Sequence, residues 1–315
     1  MPIEMAIDLM RAAVRVMTPL LLAGAGEILV ERCGILNLGL EGIMLLGAFS
    51  GFIVTYYTGS PWIGVLAAIL VGMAANAMFG FMTVSLALDQ VVTGLALTLM
   101  ASGATFYLYR AIFGWYTSPV PPHVTTVIRE TPIPILSSIP VIGPVLFNQT
   151  AFTYAALLSI PLLYFVLART RVGLEITASG EDPQVADYLG VDIVRLRYLT
   201  LLAEGALGGV AGALLSISQY NMFLDNMTAG RGFIVIAMII LGRWDPLKMT
   251  LGTLLFAFAD SLQLRIQASG LLTLAWFPYQ FALMLPYLLT LIALVIVGRG
   301  VKGPASLGKP YKRLR

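Results

Sequence analysis

Residues that bind metals or act as nucleophiles are scarce in this chain. Its 315 residues include one histidine, His123, and one cysteine, Cys33. A metal site needs several nitrogen, sulfur or oxygen ligands that converge on one ion, and neither residue has a neighbour at a suitable spacing. The G-x-S-x-G pattern of a serine nucleophile is also missing. We therefore expect no catalytic residue, no metal site and no enzymatic activity.

One segment imitates a nucleotide-binding motif. Residues 303–309, Gly-Pro-Ala-Ser-Leu-Gly-Lys, fit the G-x-x-x-x-G-K part of a phosphate-binding loop. Pro310 follows where a serine or threonine should bind magnesium, and no strand pattern precedes the segment. The few residues after it leave no room for a nucleotide-binding domain. We interpret the segment as part of a basic, flexible tail, and we expect the chain neither to hold a cofactor nor to hydrolyse ATP itself.

A short polar segment, residues 179–190, has the pattern of a capped helix. Asp182 is a good N-cap, Pro183 suits the first helical position, and Gly190 suits the position after the end. The pattern predicts about two helical turns outside the bilayer, because the charges of the segment oppose burial in lipid. The apolar residues of this helix would form one small face: Val185, Ala186 and Leu189. Such a helix either links two spans or docks its apolar face on a partner.

Two carboxylates fall inside apolar stretches, where an ionisable group is costly and usually faces protein or water. Glu204 precedes overlapping small-xxx-small pairs, Gly205–Gly209 and Gly208–Gly212, which allow close helix packing in lipid. Asp260 lies in a later apolar stretch. Both carboxylates are candidates for helix packing or gating, and lining of a conduit is the alternative.

The segment 26–51 combines three glutamates, an asparagine and several glycines. Three of its glycines, at positions 34, 39 and 42, oppose a regular helix at its start. A broken helix in a membrane is tolerated only where protein or a cavity covers it, and such breaks mark transporter sites. Asn37 and Glu41 are the polar residues at this break.

The elements that position these residues are membrane spans. Only 11% of the residues are charged and 58% are hydrophobic, with a mean hydropathy of +0.88, whereas a soluble domain carries about 25% charged residues. The composition excludes a soluble or disordered protein, and the apolar runs predict an all-α polytopic membrane protein of about eight to ten transmembrane helices. One of these, at 233–241, is short or re-entrant. The predicted spans are 12–30 (ending near Glu27), 39–57, 62–87, 90–109, 151–168, 198–219, 233–241, 249–267 and 279–298.

Positive charges predict the orientation of a single transmembrane domain over residues 1–315. Residues 299–315 form a basic tail with six Lys and Arg residues, which places the C-terminus in the cytoplasm. Counting back across the spans puts 242–248, 169–197 and 28–38 on the cytoplasmic side, and a proline-rich loop at 114–149 outside. Arg11 and Arg15 then fall near the outer face, against the rule. No basic stripe is interleaved with aromatic residues, so nucleic-acid binding is not expected.

Three segments together resemble the permease subunits of bacterial and archaeal ABC importers for branched-chain amino acids and simple sugars. They are GEILVERCGILNLGLEGIMLLGAF (26–49), ASGEDPQVADYLGVDIVRLRYLTLLAEGALGGVAGA (178–213) and FIVIAMIILGRWDPLKMTLGTLLFAFADSLQLRIQ (233–267). The resemblance covers nearly the whole chain. It is closest to nucleoside permeases that work with binding proteins of the basic-membrane-lipoprotein type.

The resemblance implies that segment 179–190 is a coupling helix, which docks in a groove on the ATP-hydrolysing subunit. The expected coupling residues are Glu181, Asp182, Pro183, Gln184, Val185, Asp187, Leu189 and Gly190. The break around Asn37, Gly39 and Glu41 would lie near the translocation path, and we group Glu204 and Asp260 with it as candidates.

The implied partners are a pair of ABC ATPases, a second homologous permease (in a homo- or heterodimer), an extracytoplasmic substrate-binding lipoprotein and the lipid bilayer of the cytoplasmic membrane. Nucleosides are the expected substrates, with a simple sugar or another small polar solute as the alternative. A rival interpretation is a secondary transporter driven by an ion gradient, with Glu204 and Asp260 as the carboxylates that bind Na⁺ or H⁺.

Overall fold

The computed structural model describes residues 2–114, 122–126, 128–268, 279–298 and 300–311. Among them, the only extended pairing consists of two isolated bridges, one between His123 and Met222 and one between Glu130 and Thr150. The remaining regular structure is helical, which confirms the all-α class. Arg299 and residues 312–315 of the predicted tail lie outside the described residues, as do 115–121 and 127 of the proline-rich loop.

Helices coincide with all nine predicted spans. In chain order the helices are α1 (Pro2–Arg32), α2 (Leu40–Thr58), α3 (Pro61–Gly80), α4 (Gln90–Phe113), α5 (Ile142–Leu146), α6 (Ala151–Arg169), α7 (Arg171–Glu181), α8 (Pro183–Tyr188), α9 (Ile193–Leu214), α10 (Arg231–Leu241), α11 (Pro246–Ala268) and α12 (Tyr279–Val297). A π-helical turn extends α3 through Phe81–Ser85, another extends α9 through Leu215–Gln219, and Leu136–Ser138 form a 3₁₀ turn.

Six described helices are long and apolar enough to cross a membrane: α1, α2, α3, α4, α6 and α9, the third and the last with their π-helical extensions. Two shorter apolar helical segments, Arg231–Leu241 and Leu283–Val297, accompany them. The chain is therefore a multi-pass membrane protein. The predicted end of the first span near Glu27 is wrong, because α1 continues to Arg32 and holds both Glu27 and Glu31 buried in the bundle.

Helix α9 lies at the centre of the bundle, because its glycines admit neighbours on two faces. A Cβ added at Gly209 would lie 2.2 Å from the Ala68 carbonyl oxygen of α3, and one at Gly212 would lie 1.8 Å from the Met44 carbonyl oxygen of α2. Backbones this close are possible only without side chains between them. The predicted close packing at the small-xxx-small pairs is confirmed.

The two ends of the bundle gather different segments. At one end, called the tail end below, residues 32–34, 179–181, 243–244 and 303–306 meet: the Arg32 guanidinium donates to the Trp244 carbonyl at 2.8 and 3.0 Å, and the Ser306 hydroxyl donates to the Gly180 carbonyl at 2.7 Å. The charge pattern predicts that all four segments lie on the same side of the membrane.

At the opposite end, the loop end, the first turns of α1 meet the proline-rich loop. Arg11 and Arg15 both form ion pairs with Glu130 of that loop. The two cations that oppose the charge rule therefore lie beside a carboxylate of the proline-rich segment. This carboxylate compensates their positive charges in part, which helps to accommodate them away from the basic segments of the tail end.

Candidate functional site

Helix α8 has the predicted caps. The Asp182 carboxylate accepts hydrogen bonds from the backbone N–H groups of Gln184 at 3.0 Å and Val185 at 3.1 Å. Pro183 occupies the first position, and Gly190 follows the helix with a φ of 94°. Because a left-handed conformation is open to glycine at no steric cost, the chain reverses there and enters α9.

The apolar face of α8 differs in one residue from the prediction. Val185 and Leu189 are exposed to 51% and 80%, but Ala186 is 2% exposed and packs beside Ile193 of α9. Tyr188, which is 77% exposed, takes its place on the outer face. Sequence reasoning missed Tyr188 although positions 185, 188 and 189 have the i, i+3, i+4 spacing of one helix face.

A polar rim surrounds this apolar face. Glu181, Asp182 and Gln184 are exposed, as is Gly190, whereas Asp187 is half-buried. The Asp187 carboxylate accepts a hydrogen bond from the Tyr311 hydroxyl at 3.0 Å. Seven of the eight predicted coupling residues therefore lie on α8 and the residues that flank it, and Glu181 is the last residue of α7.

The helix break at 33–39 reaches the middle of the bundle. The Asn37 amide donates to both carboxylate oxygens of Glu204, at 2.9 and 3.0 Å, and to the Asn76 side-chain carbonyl at 2.9 Å. Asn76 also donates to Glu204, at 2.9 Å. All three side chains have no exposed surface. We call Asn37, Asn76 and Glu204 the polar hub. It joins the break to α3 and α9 and brings two of the predicted path residues together.

Two buried glutamates of α1 lie close to this region and were missed by sequence reasoning. Glu27 contacts Glu204, and Glu31 accepts a hydrogen bond from the indole N–H of Trp244. Neither carboxylate has exposed surface. Glu27 and Glu31 are four residues apart, a spacing that places both on one face of a helix. This signal was overlooked because the span was predicted to end near Glu27.

Glu41 caps a helix. Its carboxylate oxygens accept from the backbone N–H groups of Gly230 at 2.8 Å and Gly232 at 2.6 Å, at the start of α10. A carboxylate is favourable at a helix N-terminus because the N–H groups there have no partner within the helix. Helix α10 has eleven residues, about half of the roughly 20 that a span needs, as predicted for the short segment at 233–241.

Replacing Glu41 with alanine is expected to lower the thermal unfolding midpoint of the purified chain. Two N–H groups at the start of α10 lose their acceptor, which costs about 1–3 kcal/mol. The matched variant Glu41→Gln keeps one acceptor oxygen and should lose less. If Glu41→Ala unfolds at the temperature of the unchanged chain, the cap does not stabilise α10.

Asp260 faces a cation, and Gly39 lies in a tight contact. The Asp260 carboxylate is 3.6 Å from the Arg231 guanidinium, and both side chains are mostly buried. A Cβ added at Gly39 would lie 2.8 Å from both the Asn37 side-chain oxygen and the Leu97 side chain of α4. The five predicted path residues are therefore divided among three places: the hub with Gly39 beside it, the cap of α10, and the ion pair with Arg231.

Cys33 and His123, the single cysteine and the single histidine, belong to none of these sites. Cys33 is buried, and this burial raises the pKa of its thiol, so it is a poor nucleophile. His123 is exposed in the loop region. Among the residues that the structure describes, no group of three or more His, Cys, Asp and Glu side chains could hold a metal ion.

A cavity of about 270 Å³ opens at the loop end. It is lined by residues of α1, α6, α9 with its extension, α11 and the proline-rich loop. Its polar lining includes Arg15, Thr18, Glu130, Thr153, Gln219 and Tyr220. Hydroxyl, amide and charged groups around a small space can orient a small polar solute.

Comparison with known proteins gives the same family over most of the chain. Residues 9–297 match the family described as branched-chain amino acid transport system / permease component. The chain is 41% identical over 270 residues to TsgC13 of Haloferax volcanii, whose name assigns it provisionally to a glucose ABC transporter as a permease protein; the match covers 84% of this chain and 80% of that protein.

Two further relatives match almost end to end. The guanosine ABC transporter permease protein NupQ of Bacillus subtilis is 32% identical over 302 residues, covering 93% of this chain and 92% of that protein. The nucleoside ABC transporter permease protein NupC of Lactococcus lactis is 34% identical over 302 residues, covering 93% of each chain. Bacillus subtilis and Haloferax volcanii each hold a second matching permease protein, NupP and TsgB13, so relatives occur in pairs.

Proposed function

This chain belongs to the permease component family of branched-chain amino acid transport systems, and from that premise we propose that it carries nucleosides across the cytoplasmic membrane as one subunit of an ABC importer. A permease component of this family is not an enzyme and holds no cofactor, because a separate subunit binds the ATP. The transport function is that of the family, and the nucleoside is our proposal.

Helix α8 is the observation that carries the mechanism. We assign it as the coupling helix, the element that docks on the ATPase subunit. In the isolated chain, Val185, Tyr188 and Leu189 are exposed to water and contribute no hydrophobic stabilisation. Burial of such residues in the groove of a partner is favourable. ATP binding and release in the partner would shift the chain between two packings of its helices, each favoured by one ligand state.

Orientation and partners follow from the same assignment. Helix α8 and the tail end would face the cytoplasm, and the proline-rich loop at the loop end would face an extracytoplasmic binding lipoprotein. A second permease would complete the membrane part, in line with the pairs of relatives. The whole chain would act as one transmembrane domain, with 169–197 as its coupling loop.

Nucleosides are supported as substrates by NupQ and NupC, which both match this chain over 93% of its length. The cavity at the loop end offers hydroxyl and amide groups for a ribose, and Tyr220 on its wall offers an aromatic face for a base. A glucose-like sugar is the second candidate, favoured by the 41% identity to TsgC13.

Competition separates the two substrates. The chain is reconstituted in proteoliposomes with its ATPase, the second permease and the binding lipoprotein, and ATP-driven uptake of radiolabelled guanosine is measured. Excess unlabelled adenosine should suppress this uptake and excess glucose should not. Uptake of labelled glucose in place of guanosine would overturn the nucleoside assignment.

Charged residues on the exposed face of α8 are expected to separate the chain from the ATPase. In the variant with both Val185→Glu and Leu189→Glu, two carboxylates would enter an apolar groove, and loss of a docking hot spot weakens binding by about 30-fold or more. Copurification of the ATPase subunit with the tagged chain measures this loss.

A control variant introduces a glutamate at the loop end of the bundle instead. Ile139→Glu places a glutamate at an exposed apolar residue of the proline-rich loop and should leave ATPase copurification unchanged. Undiminished copurification of the double variant at α8 would refute its assignment as the coupling helix.

A further inference from the structure

The C-terminal segment 300–311 is folded against the bundle, in contrast to the flexible tail that its composition predicts. Tyr311 is only 8% exposed and lies in a corner between α7, α8 and α9, where it packs with Ala186 and Ile193. Its hydroxyl donates to the Asp187 carboxylate at 3.0 Å. The Arg197 guanidinium lies 5.5 Å from the centre of its ring, within the range of a cation–π contact.

Ser306 anchors the same segment to the end of α7. Its backbone N–H donates to the Gly180 carbonyl at 2.9 Å, and its hydroxyl donates to the carbonyls of Gly180 at 2.7 Å and Ser179 at 3.1 Å. The Ser179 hydroxyl donates in turn to the carbonyl of Cys33, the first residue after α1, at 3.1 Å. Ser306 is 6% exposed, so these bonds are shielded from competing water.

Gln90 joins the segment to the helix break by a second route. Its amide nitrogen donates to the Lys309 carbonyl at 3.3 Å, and its side-chain oxygen accepts from the backbone N–H of Leu36 at 2.8 Å. Leu36 precedes Asn37 of the polar hub. A continuous series of contacts therefore runs from Asp187 on α8 through Tyr311, Lys309 and Gln90 to the break.

We propose that Tyr311 is a positioning residue that holds α8 on the bundle, and that segment 306–311 transmits the displacement of α8 to the break between α1 and α2. This inference rests on the proposed function, because it presumes that the ATPase moves α8. Buried contacts with discrete arrangements can carry such coupling between two sites. Through Asn37, a displaced break would alter the hub that joins α3 and α9.

The ratio of solute imported to ATP hydrolysed tests the proposal in the reconstituted complex, with radiolabelled guanosine as the probe. Tyr311→Ala removes the ring and the hydroxyl, and the ratio should fall at least about fivefold, the lower range of allosteric coupling. Tyr311→Phe keeps the ring, so the ratio should fall less in this variant. A merely structural role would lower the amount of assembled complex and leave this ratio unchanged.

Gln90→Glu interrupts the series at a second point without touching α8. The glutamate keeps an acceptor for the Leu36 N–H and loses the donor to the Lys309 carbonyl, so the ratio should fall as it does for Tyr311→Ala. Gln149→Glu is the matched control: Gln149 is equally buried at the loop end and also donates to backbone carbonyls, those of Val145 and Arg11. It should leave the ratio unchanged.

The outcomes separate the inference from the proposed function. Coupled uptake by the unchanged complex, together with unchanged ratios in Tyr311→Ala and Gln90→Glu, would overturn the inference alone. Failure of the ATPase to assemble with the unchanged chain would overturn the proposed function, and the inference with it. If Tyr311→Ala does not assemble, Tyr311→Phe and Gln90→Glu decide by the same ratio.

Discussion

Replacing Gly212 with alanine should destabilise the chain severely, although alanine is the better helix former. The added Cβ would lie 1.8 Å from the Met44 carbonyl oxygen and 2.7 Å from the Met44 carbonyl carbon. Both atoms belong to the backbone of α2, so no side-chain rotation relieves the clash and the helices must separate. We expect a loss of about 3 kcal/mol or more, measured as the thermal unfolding midpoint and the yield of purified chain.

Gly103 provides the matched control, since it also lies within a helix, α4, but a Cβ there meets no atom within 4 Å. Gly103→Ala should be neutral or stabilise the chain by up to about 1 kcal/mol, because alanine favours the helix. The two substitutions are chemically identical and should have opposite effects. Equal unfolding midpoints would show that α2 and α9 do not approach as closely as described.

Replacing Glu204 with leucine should produce the second large loss of stability. The amides of Asn37 and Asn76 would lose their carboxylate acceptor in a region without exposed surface. Each amide keeps one other acceptor, the Asn76 side-chain oxygen for Asn37 and the Leu201 carbonyl for Asn76, so one N–H of each is left unpaired, and each unpaired N–H costs about 1–3 kcal/mol. The purified variant should therefore unfold at a temperature well below the unfolding midpoint of the unchanged protein.

A double-mutant cycle tests whether this loss belongs to the hub. Asn76→Leu should be costly in the unchanged chain, where Glu204 loses one of its two amide donors, and less costly beside Glu204→Leu, where no carboxylate remains to lose a donor. The expected coupling is about 1–3 kcal/mol. Strictly additive losses would mean that Asn76 and Glu204 do not interact.

The sequence was sufficient to predict the apolar spans and α8, though not α5 or α7, and the physical reason is local. Charges and turn residues interrupt the apolar runs, so each run gives the position of a span. The caps of α8 could also be predicted, since Asp182, Pro183 and Gly190 act on backbone groups within a few residues of themselves.

Burial of polar groups could not be predicted in the same way, because it depends on distant partners. Glu27 was expected to end a span, yet it lies buried inside the bundle beside Glu204, which is more than 150 residues away in the chain. The segment 303–309 has the glycines, proline and lysine of a flexible tail. Its order comes from Ser306, which binds carbonyls more than 120 residues earlier in the chain.

The interpretation of Glu204 and Asp260 as ion-binding carboxylates loses support for the same reason. Asp260 faces the Arg231 guanidinium, and Glu204 accepts hydrogen bonds from two asparagine amides. Both carboxylates thus have protein partners inside the bundle. These contacts favour helix packing, one of the two roles that the sequence left open.

The energy source of transport is the most direct test of the account. Uptake of radiolabelled guanosine is measured in proteoliposomes that contain the complete complex, with internal ATP held constant and an uncoupler added to remove ion gradients. We predict that uptake continues under these conditions and stops when the ATPase subunit carries a substitution that blocks hydrolysis. Uptake that ceases with the uncoupler at constant ATP, or that continues without hydrolysis, would contradict the account.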